Sequence, residues 1–162
     1  GYITDRVAEL LRAEGMDNVL IQLGETRALG GHPQGRAWRL GLTAAAGTHG
    51  EGAGHDEATG ENVVELRNRA LATSAPHGFT FDREGRFHHL IDPDSGNSPQ
   101  AVAGVSVTAP RAADADALST ALSVMEARRG AQMMERVGDA TAWVVLADGG
   151  EITLGRARGS KA

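Results

Sequence analysis

Residues 102–122 read V-A-G-V-S-V-T-A-P-R-A-A-D-A-D-A-L-S-T-A-L, and the hydrophobic period changes within them. Over 102–108 the small and β-branched residues form a run suited to a strand. Beyond Pro110, apolar side chains fall at helical spacing across 113–126, with Asp114 and Asp116 in the first turns, where the helix dipole favours acids. A second helix is expected over 129–137, stopping at Gly138. A hairpin closes the pattern: strands at 142–147 and 151–154 around Asp148-Gly149-Gly150, before a basic tail.

Working toward the amino terminus, a short helix is expected first. Thr4 is its N-cap, Asp5 sits in the first turn, Val7, Leu10 and Leu11 lie at helical spacing, and Gly15 is the stop. N-V-L-I-Q-L at 18–23 reads as a buried strand, G-E-T-R-A-L-G-G at 24–31 as a glycine-punctuated connection, and 37–42 as a second strand. Residues 43–60, small and polar without a sustained period, read as a surface insertion, and His49 and His55 within it as solvated loop histidines. Short strands follow at 62–66 and 70–74. A hairpin is expected from 79–81 and 86–91 around Asp82-Arg83-Glu84-Gly85. The order is one helix, many strands, two helices, then a hairpin. Most strand-to-strand links are too short for a parallel crossover, so the expected fold is α+β: a mostly antiparallel sheet with helices packed on one side.

Composition agrees with one domain. The chain has 162 residues and 16.9 kDa, and its aromatic content of 4% requires an aliphatic core. A net charge of -5 excludes the dense basic face that duplex nucleic acid would need. There is no cysteine, hence no disulfide and no thiolate metal site. No apolar run approaches the ~20 residues that span a bilayer. The chain opens at Gly1 almost directly into a helix, and the expectation is that upstream sequence has been removed.

Four groups of residues could carry chemistry, the first being L-G-E-T-R-A-L-G at 23–30, whose glycines permit close backbone approach to a ligand or simply make a turn. In F-H-H-L-I-D-P-D-S-G at 87–96, successive side chains on a strand point to opposite faces, so His88 and His89 cannot serve the same pocket. One packed and one surface histidine would satisfy the same pattern. On the helix after 112, Asp116 and Thr120 are four residues apart and Ser119 lies on the same flank. One carboxylate and two hydroxyls then converge, a donor set that suits Mg²⁺ and equally a helix-capping arrangement. Thr73 and Ser74, at a strand end, can bond a phosphate or a turn.

Taken together and in this order, G-Y-x-x-D (1–5), L-G-E-T-R-A-L-G (23–30), A-T-S (72–74), H-H-L-I-D-P-x-S-G (88–96) and A-D-A-L-S-T-A-L (115–122) resemble the FAD:protein FMN transferases, the ApbE family. The match runs over nearly the whole chain but corresponds to the carboxyl-terminal half of a family member. The resemblance implies FAD as substrate, Mg²⁺ at its diphosphate, and transfer of FMN to a threonine of an acceptor flavoprotein with release of AMP. It implies Asp116, Ser119 and Thr120 at the metal, His89 as the essential histidine, and Ile91, Thr73, Ser74 and Asp5 with the flavin nucleotide. In the family, the segment preceding the position of Gly1 supplies a metal-binding carbonyl and FAD contacts. Hydrolysis of FAD by the same pocket, or flavin binding without turnover, are the alternatives. Family members commonly act in the bacterial periplasm or outside the cell envelope.

Overall fold

The computed structural model describes residues 1–42 and 62–156; the expected insertion at 43–60, with His49 and His55, lies outside them. The first helix, α1 (Tyr2–Ala13), starts earlier than the Thr4 cap would require. Gly1 is its N-cap, and Thr4 lies inside the helix, only 1% exposed. Ala8, with Val7 and Leu11 beside it, packs on Ile21 and Leu29. This is the i, i+4 stripe that an amphipathic helix offers a sheet.

The strands are β1 (Val19–Gln22), β2 (Thr26–Leu29), β3 (Trp38–Gly41), β4 (Val63–Leu66), β5 (Ala70–Ser74) and β6 (Val102–Ala109). Helices α2 (Ala112–Val124) and α3 (Ala127–Val137) follow, then β7 (Ala140–Leu146) and β8 (Glu151–Arg156). Six strands form one sheet in the order β1-β2-β5-β6-β7-β8, every pair antiparallel, and β3 and β4 pair separately. The fold is α+β, as the short links imply. One crossover helix between β6 and β7 would have made them parallel; the second helix reverses the chain once more, so β7 returns antiparallel.

Two expectations are corrected. The connection at 24–31 contains β2. The hairpin at 79–81 and 86–91 does not form strands, and its only ladder element is an isolated bridge between Thr80 and His88.

Register assigns the faces. Arg27 pairs with Ala70, Ala70 with Ala109, and Ser74 with Val105. Arg27, Ala70, Ala72 and Ser74 therefore share a face with Val105 and Val107, while Leu71, Thr73 and Ser106 share the other. The first face carries the helices. Ala70, Ala72, Val105 and Val107 pack there against Ala112, Ala115, Leu118 and Leu122 of α2 and Met134 of α3. Gly130 allows the two helices to close up, because a methyl there would lie 2.8 Å from Leu122 Cδ2. On the opposite face the β3–β4 pair covers β2 and β5, with Leu40 and Leu66 fully buried beside Ala28, Trp38 and Leu71. Each of those leucines contributes about 2 kcal/mol by transfer from water.

Candidate active site

Helix α2 does not cap itself. Its N-cap, Arg111, makes no side-chain capping bond. Asp5, from α1, does this across the fold: the amide of Ala112 donates to Asp5 Oδ1 at 2.8 Å and that of Ala113 to Oδ2 at 2.9 Å. Arg27 Nε stands 3.4 Å from the same carboxylate. Burial pushes the Arg27 guanidinium below its usual range, and the Asp5 charge opposes that shift. Asp114 turns to Arg111. Asp5 thus caps the first two amides of α2, and the Asp116 carboxylate is turned toward Gly1 instead. Asp5→Ala is expected to cost about 2 kcal/mol, the upper range for a lost N-cap, because it also strips Arg27 of its carboxylate. Asp5→Asn, which keeps one acceptor oxygen, should lose about half as much. Urea denaturation midpoints of the two variants check this.

With α2 so fixed, its second turn meets the end of β5. The Ser74 hydroxyl lies 2.9 Å from that of Ser119 and 3.3 Å from that of Thr120. Ser119 is fully buried and donates to the Asp116 carbonyl at 3.0 Å, so its oxygen is enclosed by protein. Asp116 is 44% exposed at its side chain, and Thr120 is exposed. Opposite them, in the β1–β2 turn, stands Glu25. The backbone nitrogen of Gly1 lies between the two acids, 3.0 Å from Glu25 Oε2 and 3.1 Å from Asp116 Oδ2. Thr4 Oγ1, from the first turn of α1, donates to Glu25 Oε2 at 3.0 Å and fixes where that carboxylate stands. Two carboxylates, of Glu25 and Asp116, thus stand on either side of the Gly1 nitrogen, and the Ser74 and Thr120 hydroxyls meet one turn further along α2. Among the described residues no three His, Cys, Asp or Glu side chains converge. A hard cation held here would rely on few carboxylates, hydroxyls and water, as Mg²⁺ commonly does. Glu25 lies in the stretch 23–30 marked for close backbone approach, but nothing in the sequence singled out its carboxylate; Gly24, at φ 106°, makes the turn that presents it.

Thr73 points to the other face of the sheet and bonds Ser106 at 2.8 Å. Adjacent in sequence, Thr73 and Ser74 thus serve opposite sides.

Past β5 a single 3₁₀ turn (Pro76–Gly78) leads to the two histidines. His88 is 1% exposed and His89 is exposed, so alternation separates them even without a regular strand. His89 Nδ1 lies 3.2 Å from the Phe79 carbonyl, which also accepts the His89 amide at 3.1 Å. A carbonyl only accepts, so Nδ1 carries the proton and Nε2 keeps a lone pair directed away from that contact. A methyl on Gly78 would lie 3.5 Å from His89 Cε1. Gly78 is four residues beyond Ser74, a reach of at most about 14 Å. The imidazole thus packs beside Gly78, whose backbone can lie no more than about 14 Å from that of Ser74.

Ile91 is 52% exposed and leads into the Asp92 turn. There the Asp94 amide bonds Asp92 Oδ1 at 3.1 Å and Ser95 Oγ bonds Oδ2 at 2.7 Å. The Ser95 hydroxyl, then the Asp94 amide, hold the Asp92 carboxyl below its ordinary range. Gly96, at φ 71°, closes the turn.

The ApbE family model matches residues 1–144. The FAD:protein FMN transferase of Haemophilus influenzae is 31% identical over 94% of this chain and 43% of its own length. That of Treponema pallidum is 35% identical over 77% of this chain and 35% of its own. Among solved structures, the ApbE protein of Thermotoga maritima superposes with a TM-score of 0.77 at 26% identity, covering 95% of this chain and 48% of that one. The apo flavinyl transferase ApbE of Pseudomonas stutzeri gives 0.71 at 31% identity, covering 94% and 45%. The chain spans less than half the length of these relatives. With the motifs distributed from α1 through α2 and the fold shared throughout, the chain belongs to the ApbE family.

Proposed function

We propose that the protein to which this chain belongs transfers FMN from FAD to a threonine hydroxyl of an acceptor protein, with Mg²⁺ at the diphosphate, in the periplasm or at the outer face of the cell envelope. The observation that supports this most is the meeting of the α2 carboxylate and hydroxyl with Ser74 and Glu25, one short stretch of chain from an imidazole with a free Nε2.

Asp116 and Thr120 would hold the ion, with Ser74 beside them, and Ser119 would stand behind Ser74 rather than at the metal. When bound, the cation supplies charge neutralisation at the diphosphate. His89 Nε2 takes the proton of the acceptor hydroxyl as its oxygen attacks the phosphorus on the FMN side. The bond from that phosphorus to the bridging oxygen breaks, and AMP leaves with the bridging oxygen. Phosphoryl transfer asks little of a protein beyond such positioning and charge. Ile91 and the Asp92 turn would line the nucleotide's path, and Asp5 would act through α2 by fixing where Asp116 stands.

Incubation with FAD, Mg²⁺ and a candidate acceptor domain, followed by intact-mass measurement, tests the reading. The expected result is an acceptor heavier by one FMN moiety, abolished by EDTA. Free FMN and AMP with an unmodified acceptor would mean hydrolysis instead, and unchanged FAD would mean binding alone.

A further inference from the structure

We propose that His88 is a positioning residue, which sets the backbone at His89 and thereby aims the imidazole that takes the acceptor's proton. The inference deepens the reading of His89 given above and rests on it.

The ring of His88 is bonded at both nitrogens. Nε2 lies 2.9 Å from the Pro99 carbonyl, and the Leu90 amide donates to Nδ1 at 3.3 Å. These partners fix the tautomer: the carbonyl requires a proton on Nε2, and the amide requires a lone pair on Nδ1. A side chain that accepts from the amide two residues ahead closes a small local turn, as Asx side chains do. The residue inside that turn is His89. Its backbone dihedrals are bracketed by the His88 ring on one side and the Leu90 amide on the other.

The ring is itself immobilised. Ser98 Oγ accepts the His88 amide at 2.9 Å and donates to the His88 carbonyl at 2.8 Å. Gln100 Nε2 bonds the Arg86 and Ser98 carbonyls, each at 3.0 Å. Side chains from 98–100 thus bond the outer backbone groups of Arg86 and His88, while on the hairpin side the Phe81 and His89 amides donate to the Phe87 and Phe79 carbonyls. On the other side, the Phe79 carbonyl bonds both the amide and the imidazole of His89. Without the clamp at His88 the His89 ring would hang on one carbonyl, and about 1 Å of misplacement at a reacting group costs about 10²-fold in rate.

The two halves of the clamp separate by substitution. In His88→Asn, Oδ1 can still accept from Leu90, but the side chain no longer reaches Pro99. In His88→Gln, the amide can reach Pro99 but offers nothing at the Nδ1 position. His88→Leu removes both. The first readout is the ¹⁵N shift pattern of the His89 imidazole in the protein alone, in alkaline buffer. Wild type and His88→Asn should show the Nδ1–H form, whereas His88→Gln and His88→Leu should show mixed tautomers. The second is the transfer rate, which should fall about 10²-fold in His88→Leu with KM for FAD unchanged, and recover most of that in His88→Asn. A His88→Leu protein with wild-type tautomer and rate, but a lower melting temperature, would reduce His88 to packing and overturn the proposal. If His88→Leu does not fold, identical His89 spectra in the Asn and Gln variants overturn it. The spectra need no substrate, so failure of the transfer assay leaves this test standing.

Discussion

His89→Ala is expected to lower the rate of flavin transfer by about 10²- to 10⁴-fold, the range of a positioned general base. The loss should fall on kcat and kcat/KM alike, because Nε2 takes part only as the acceptor hydroxyl gives up its proton. Folding should be nearly unaffected. The side chain is exposed and its one side-chain bond is to the Phe79 carbonyl, which retains the His89 amide. Exposed positions of this kind seldom shift stability by more than about 0.5 kcal/mol. Stopped assays of acceptor labelling, beside thermal melts, decide the matter. A variant that melts normally and labels at the wild-type rate would remove His89 from the chemistry.

Asp116→Asn should raise the Mg²⁺ concentration needed for half-maximal transfer by about 10²-fold or more, since even groups one step removed from a metal cost 10- to 100-fold. The amide is close in size to the carboxylate and Asp5 does the capping, so α2 should stand unchanged. Rescue separates the two variants. Excess Mg²⁺ should restore much of the Asp116→Asn rate, because the deficit is in ion affinity, and restore none of the His89→Ala rate. An Asp116→Asn protein with an unaltered Mg²⁺ titration would place the ion elsewhere.

Both predictions concern residues whose place could be read from the chain, and the reasons are local. Asp116 and Thr120 share a helix face because four residues are about one turn, and His88 and His89 diverge because adjacent side chains in extended backbone must. What escaped was set by distant partners. β2 hid because Ala28 and Leu29 are buried on opposite faces, one under β3–β4 and the other under α1, which erases the alternation of a half-exposed strand. Thr4 looked like a cap because hydroxyls usually are, but its partner is Glu25 in a turn of the sheet. Asp5 could be matched to a motif, yet its bonds to residues 112 and 113 belong to another helix and carry no trace in the local sequence. The stretch 79–91 has the composition of a hairpin, but its pairing stops at the one bridge between Thr80 and His88, with side chains from 98–100 bonding the outer backbone groups.

The Leu42 amide donates to the Asn62 carbonyl at 2.8 Å, at the open end of β3–β4 and on the side of the main sheet away from α2. That bond closes the neck of the connection 43–61. Closing entropy grows only logarithmically, so doubling the length of such a connection costs about 0.6 kcal/mol. A change in the length of the chain between Leu42 and Asn62 is therefore expected to alter stability little so long as that bond is kept, which thermal melts of insertion variants would check.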